Sequence, residues 1–530
     1  MDPVATISWI VCFVVVTVAV TGLSGRVGWS APIVLVTVGV AVSFIPAVPA
    51  IELQPEFVLY GILPPLLYAA AIRTSFVDVR ARRDGILLLS VGLVTFTVVA
   101  VGFVTWWIVP SITLAAAFAF GAVVAPTDAV AVSAMAGRIG LPRRLVTVLE
   151  GESLLNDATA LVALNAAIAA ILSTVTPWMV VGDFGLAVGG GLAVGLGVAF
   201  VLSMIRKRLR APVLDTSLSL VTPYVAFIPA QLIHGSGVLA VVVAGLYLGY
   251  RSPVIQTAEA RIAETLNWRT IQFLLENAVF LFIGLAASGI LKGVATTGPG
   301  PWQTAGIAVV ILLALFLSRA LWMLLSTTVY RFGPEWLRQR GWSWRTGAAV
   351  SFAGVRGVVT LAAVFLLPEA TPGRAYLQFL ALVVVVGTLL QGLTLPWIIR
   401  LLHLPAPNWR QEMDETHRLL AEAQTAGLTR LDEELVDTEV EERVLVRLRT
   451  NARFLSDALE APSPEDSEPV LTAYNRLRRS MILAEREAVI TARSEGRYQE
   501  LSVRAALAAI DLEETALKVN KPRRPGSNLT

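Results

Sequence analysis

Apolar stretches long enough to cross a lipid bilayer recur through the first 402 of the 530 residues and then stop. They fall near residues 7–23, 31–48, 56–72, 85–109, 111–136, 145–173, 178–204, 215–233, 237–249, 270–291, 303–331, 345–367 and 376–402, the ninth being the shortest. Most have about 17 residues or more, the length that a helix needs to span hydrocarbon. Inside lipid a spanning segment must satisfy its own backbone N–H and C=O groups, which leaves the helix as the structure for such runs. The expected fold is an all-α polytopic membrane protein with about thirteen transmembrane helices. Residues 7–23 are read as a retained span rather than a secretory signal, because no basic residue precedes them.

Charge divides the chain in two. Residues 1–402 carry 24 Lys+Arg against 16 Asp+Glu, a formal +8, whereas residues 403–530 carry 18 against 23, a formal −5. The expected domains are a transmembrane body, 1–402, and a cytoplasmic helical tail, 403–530. The basic surplus of the body lies in short loops, where it sets orientation, so no nucleic-acid partner is expected. If alternate loops share a side, one set holds nineteen Lys and Arg and the other only Lys292 and Arg374. That asymmetry predicts an outside N-terminus and a cytoplasmic C-terminus, in the plasma membrane. Cys12 is the one cysteine, which excludes an intrachain disulfide and a cysteine metal cluster; no cofactor is expected. The tail alternates apolar and charged residues at helical spacing, with APSPEDSEP as a linker and KPRRPGSNLT as a disordered end. It reads as a packing or dimerisation module, with a regulatory sensor as the alternative.

Ionisable groups interrupt the apolar runs. Asp128 lies in AFGAVVAPTDAVAVSAM and Asn156-Asp157 in VLEGESLLNDATALVALNA. A carboxylate in hydrocarbon is normally paired, protonated or set on a water-filled route, so these acids point to movement of a cation or a proton. With Glu152, Glu276, Arg319 and Arg356 they fall about 9–18 Å from the cytoplasmic helix ends, at about 1.5 Å of rise per residue. Four acids against two arginines leave a formal −2 in that slab. Ser153 and Asp157, four apart, share a helix face, whereas Glu152 is turned about 140° from Asp157. Glu152 should therefore face a different neighbour, with Arg356 or Arg319 as its partner; the pair predicted is Glu152–Arg356, with Glu276 available to Arg319. Pro126-Thr127-Asp128 and Ser351-Phe352-Ala353-Gly354-Val355-Arg356-Gly357 break two spans near their middles and free backbone groups there. The two broken spans are the middle members of helix triplets placed as an inverted repeat. Arg356 would offset the carbonyl ends where they cross.

The motifs PTDAVAVSA, EGESLLNDATALV, LPPLLYAAA and FAGVRGVV resemble the cation/proton antiporters of the NhaP and NHE branch, over most of residues 1–402. The resemblance implies two crossing discontinuous helices, a core domain moving against a dimerising domain, a homodimer in the lipid, and exchange of Na+ for H+. It implies that Asp157 carries both ion and proton, with Asn156 as its neighbour. Asp128 and Thr127 would come from the crossing helix and Ser153 would add a hydroxyl, so that Na+ is expected at Asp157, Asp128, Ser153 and Thr127. Glu152 with Arg356 looks like the family's core ion pair. One departure is Ala69 of LPPLLYAAA, at the position where related chains often carry an acid after PPLLF. Asn rather than Asp at position 156 resembles the electroneutral branch. K+/H+ exchange, or a broad Na+/Li+/K+ range, is the alternative; a cation channel is the other class. Enzymatic chemistry is not expected: no GxGD or HExxH occurs, and His234, His403 and His417 are not placed to activate Ser24 of the Gly22-Leu23-Ser24-Gly25 run.

Overall fold

Prolines and hydroxyl caps set where the membrane helices begin. In the computed structural model, proline occupies the first turn of α2 (Ala31–Ser43), α8 (Pro177–Arg206), α9 (Pro212–Leu232) and α12 (Pro301–Phe332), where its missing N–H is not needed. Thr113, Ser236 and Ser343 cap α6 (Leu114–Val124), α10 (Gly237–Ile255) and α13 (Trp344–Phe352), each accepting a hydrogen bond from a backbone N–H of the first turn. The other helices of the body are α1 (Pro3–Val27), α3 (Leu63–Ala71), α4 (Phe76–Ala81), α5 (Arg83–Ile108), α7 (Arg143–Leu172), α11 (Ala258–Thr297), α14 (Val358–Phe365) and α15 (Arg374–Leu401). The structure describes residues 3–27, 29–46, 57–128, 142–172, 176–297, 300–335, 342–404, 409–435, 441–450, 470–495 and 500–519. Residues 129–136 of the expected fifth span, the linker 461–469 and the end 521–530 lie outside them.

Among the described residues eight helices are long and apolar enough to cross a membrane, and four shorter apolar ones accompany them. Two of the expected spans are interrupted. The chain leaves helix after Val124 and has no regular structure through Asp128, and α13 is separated from α14 by residues 353–357. Contacts divide the chain into two units, Met1–Ala406 and Pro407–Asn528.

The membrane unit holds two apolar cores. One is built on α2, α5, α6, α7, α11 and α12 to α15, and the other on α3, α8, α9 and α10, with Leu154 and Ala158 of α7 and Trp268 of α11. Within the first, α2 and α11 approach until their backbones touch. A Cβ on Gly39 would strike the carbonyl of Leu281, and one on Gly284 the carbonyl of Val36, so glycine is required at both positions.

A buried charge cluster ties one end of the second core, at the junction of α8, α9, α10 and α11. The Nε and Nη2 groups of Arg206 each donate to a carboxylate oxygen of Asp215 at 2.8 Å, and Nη2 also reaches Glu264 at 2.9 Å. Gln256 donates to both acids, at 2.6 and 2.9 Å, Ser219 donates to Glu264, and the Trp268 indole donates to Ser219 at 2.9 Å. Arg206 is only 1% exposed. The sequence pattern placed it among loop cations and left 250–269 as a connection, but α10 continues to Ile255 and α11 starts at Ala258. Hydropathy scores these charges as solvated, whereas they are paired with one another.

In the second unit, α16 (Trp409–Glu434) is followed by helical residues 442–450 and then by α17 (Val470–Ser494) and α18 (Glu500–Val519). The last two pack together around Ile482 and Val503. Arg478 bonds Glu485 at 2.7 Å and Glu513 at 2.6 Å, and Arg486 bonds Asp511 and Glu514, each at 2.6 Å.

Candidate functional site

Helix α7 presents two polar stripes, and each faces a different neighbour. Glu150, Ser153 and Asp157 are three and four residues apart and line one wall of a cavity of about 250 Å³. Glu152 and Asn156 lie on the other stripe and face the first chain break. The cavity sits where the two cores meet, since Leu63, Leu67 and Leu154 of one and Phe280 of the other also line it. Pro126, Thr127 and Asp128 enter from the first break, Gly357 from the second, Val359 and Thr360 from the first turn of α14, Arg73 from the end of α3, and Gln272 and Glu276 from α11.

The two breaks are bonded directly to each other. The Asp128 N–H donates to the Val355 carbonyl at 2.7 Å, and the Arg356 guanidinium donates from Nε to the Val124 carbonyl at 3.0 Å and from Nη1 to the Gly354 carbonyl at 2.5 Å. Val124 ends α6 and Gly354 follows α13, so Arg356 caps two carbonyl-rich helix ends, where a cation is favoured. The Arg356 N–H is taken by Thr388 Oγ1 at 3.0 Å. A Cβ on Gly357 would overlap the Asp128 carboxylate, so glycine at that position lets the carboxylate lie against the second break.

The ion pairing differs from the expected one. Glu152 pairs with Arg319, through Nη1 at 2.6 Å and Nη2 at 2.9 Å, and not with Arg356. Arg319 also donates to the Val350 carbonyl at 2.8 Å, and Thr127 Oγ1 donates to Glu152 at 2.9 Å. Glu276 does not reach Arg319; it accepts from Gln272 at 2.6 Å. The reason is geometric: Arg356 is held at the helix ends by carbonyls, which leaves Arg319 on α12 as the cation facing the Glu152 stripe.

Of the residues expected to hold the ion, Asp157, Asp128, Ser153 and Thr127 meet at the cavity, and Asn156 does not. The Asn156 amide is turned to the break and donates to the Thr127 carbonyl at 3.1 Å and to its hydroxyl at 3.0 Å. The carboxylate of Asp157 is 6% exposed, and no hydrogen bond or ion pair holds it among the described residues. Asp128 lines the same cavity. Sequence reasoning missed Glu150, Arg73, Gln272 and Thr360 as lining residues. Glu150 was findable, since it lies three residues before Ser153 and seven before Asp157 on one face; Arg73 looked like one more loop cation.

Comparison with known proteins agrees with this architecture. The family described as sodium/hydrogen exchanger, transmembrane, matches residues 13–401. An uncharacterized Na+/H+ exchanger of Mycobacterium tuberculosis is 32% identical over 531 residues, covering 96% of this chain and 95% of that one. The sodium, potassium, lithium and rubidium/H+ antiporter of Bacillus subtilis is 32% identical over 386 residues, covering 68% of this chain and 56% of that one. Among solved structures, the sodium proton antiporter MjNhaP1 from Methanocaldococcus jannaschii superposes with a TM-score of 0.62 at 18% identity, over 76% of this chain and 99% of that one, a likeness of fold. Two broken helices bonded end to end beside a membrane carboxylate, with a family match over nearly the whole helical body, place this chain in the sodium/hydrogen exchanger family.

Proposed function

We propose that the protein exchanges Na+ for H+ across the plasma membrane, with Asp157 holding the proton and the cation in alternation. One observation carries this reading: Asp157 is buried and faces the cavity without a hydrogen bond or ion pair among the described residues, while Glu152 on the other stripe of α7 is fully paired. A buried carboxylate without a partner is unfavourable in low dielectric, and binding one proton or one monovalent cation relieves the same charge. The two ligands therefore compete. Asp128, Ser153 and Thr127 supply further oxygens, and the Glu152–Arg319 pair and Arg356 hold the frame around them. Asn156 serves that frame rather than the ion. One proton for one monovalent cation makes the exchange electroneutral.

The charge asymmetry of the loops supports a cytoplasmic C-terminus, and the resemblance supports a homodimer. The amphipathic, charge-paired helices of the tail support a regulatory or packing role. Wider selectivity, extending to K+ and Li+, is favoured by Ala69 and by the name of the Bacillus relative.

The test is proton movement in proteoliposomes after addition of Na+, Li+ or K+ separately, with and without a clamped potential. Asp157→Asn abolishes exchange while the protein still inserts and folds, and in the unmodified protein apparent Na+ affinity weakens as pH falls. Near-normal exchange by the Asn variant, or a pH-independent affinity, would rule out a shared carboxylate.

A further inference from the structure

The hairpin of the tail leaves one apolar face of α17 uncovered. The side that packs along α18 carries Arg478, Ile482 and Arg486: the two arginines bond Glu513, Asp511 and Glu514 of α18, and Ile482 is buried beside it. Tyr474, Leu477, Met481, Ala484 and Ala488 follow one another at alternating steps of three and four residues, the a and d positions of a coiled-coil heptad. Their stripe is turned about 120° from the α18 side, at about 100° per residue. All five are exposed, Tyr474 by 44%, Leu477 by 56% and Met481 by 55%. Helices this short draw their stability from packing, yet among the described residues of the hairpin only Ile482 and Val503 are fully buried. One helix pair with a second apolar stripe facing water is half of a bundle.

The stripe fits a second copy of itself, run in the opposite direction. Its large residues, Tyr474, Leu477 and Met481, lie toward the N-terminal end of α17, and its small ones, Ala484 and Ala488, toward the C-terminal end. Antiparallel pairing about a two-fold axis sets Met481 against Ala484 of the second copy and Leu477 against Ala488 of the second copy, so each layer joins a large side chain to a small one. A parallel pair would stack alanine on alanine and leave a gap. Charge agrees with size. Arg478 and Glu485 flank the stripe at successive e positions, and reversing one helix brings each of them toward its opposite, whereas a parallel pair would set Glu485 against the uncharged Ser480. A homodimeric body would also hold the two tails at high effective concentration.

We propose that α17 is the self-association surface of the tail, pairing antiparallel with α17 of a second copy through Tyr474, Leu477, Met481, Ala484 and Ala488, and so joining two hairpins into a four-helix bundle. The inference deepens the packing role of the tail and rests on the homodimer reading. It does not depend on which ions the body exchanges.

The experiment uses the full-length protein carrying Cys12→Ser, with Leu477→Cys and Ala488→Cys introduced singly and together and oxidised in membranes. Along one helix these positions are about 16 Å apart at about 1.5 Å per residue, too far for a disulfide within one chain. The expected result is a covalent dimer on a non-reducing gel for the double variant and monomer for each single one. Tyr474→Cys with Thr491→Cys reads the same register independently. Adding Met481→Lys, which puts a charge into the middle of the stripe, abolishes the band; Leu483→Lys, exposed on another side of α17, leaves it. A covalent dimer from Leu477→Cys alone would mean parallel pairing and overturn the assignment. Lack of the band from both double variants, with the unmodified protein dimeric by light scattering, would overturn the tail pairing and leave the homodimer standing. A monomeric unmodified protein would remove the homodimer reading and this inference with it.

Discussion

Replacing Glu152 by glutamine tests the scaffold of the site most directly. Arg319 and Glu152 are both about 2% exposed, and Arg319 spends Nη1 and Nη2 on the Glu152 oxygens and only Nε on the Val350 carbonyl. Glutamine keeps one acceptor, which Thr127 can still use, but turns an NH2 group toward the guanidinium. A buried cation is then left facing a donor. Breaking one side of such a pair costs about 3–5 kcal/mol, because the stranded charge loses its compensation. The expected outcome is a clear fall in the thermal stability of the purified protein, followed by intrinsic tryptophan fluorescence. Pairing Glu152→Gln with Arg319→Met removes both charges and recovers a large part of the loss, whereas pairing it with Arg356→Gln recovers none. A double-mutant cycle assigns the coupling to one arginine or the other. Additive effects with Arg319, or coupling to Arg356, would refute the pairing described here.

Gly357→Ala places a methyl group where the Asp128 carboxylate lies, so exchange activity should fall severalfold in the same proteoliposome assay while the protein still folds; activity equal to the unmodified protein would show that Asp128 tolerates displacement. In the tail, the Arg478 hydrogen bond holds the Glu513 carboxyl below its usual range. A depressed acid stabilises the folded hairpin above its ordinary titration range and loses that contribution as pH falls through the lowered value. The protection of residues 470–519 in the full chain, measured as hydrogen exchange relative to the intrinsic amide rate at each pH, should therefore fall below about pH 4, relative to pH 7, by more than in an Arg478→Ala variant. Equal acid sensitivity in both would remove Arg478 as the cause.

How far these features could be read from sequence depended on whether they are local. Apolar length located helices such as α5, α8, α12 and α15, because a bilayer imposes one requirement on every span. Helical periodicity separated the Ser153 and Asp157 face from Glu152, since residues on one helix share a fixed geometry. The choice between Arg319 and Arg356 was not local: both lie at similar depth on different helices, and only the packing of α12 against the second break decides which guanidinium reaches Glu152. Arg206 was misread as a loop cation, and Asp215 and Glu264 were overlooked, for the same reason. Nothing in the spacing of three charges spread over 59 positions says that they meet.

The fixed charges around the cavity have an electrical consequence. Arg356 rests on two helix ends and Arg319 on Glu152, so neither arginine is spent on neutralising Asp157. On the proposed mechanism, the carrier with a proton and the carrier with a sodium ion then have the same net charge, and a membrane voltage treats the two loaded forms alike. The empty carrier is the odd one, one unit more negative and with its carboxylate uncompensated. The low-dielectric slab penalises the movement of that form most heavily, so the same arrangement that lets either ion ride suppresses uncoupled leak.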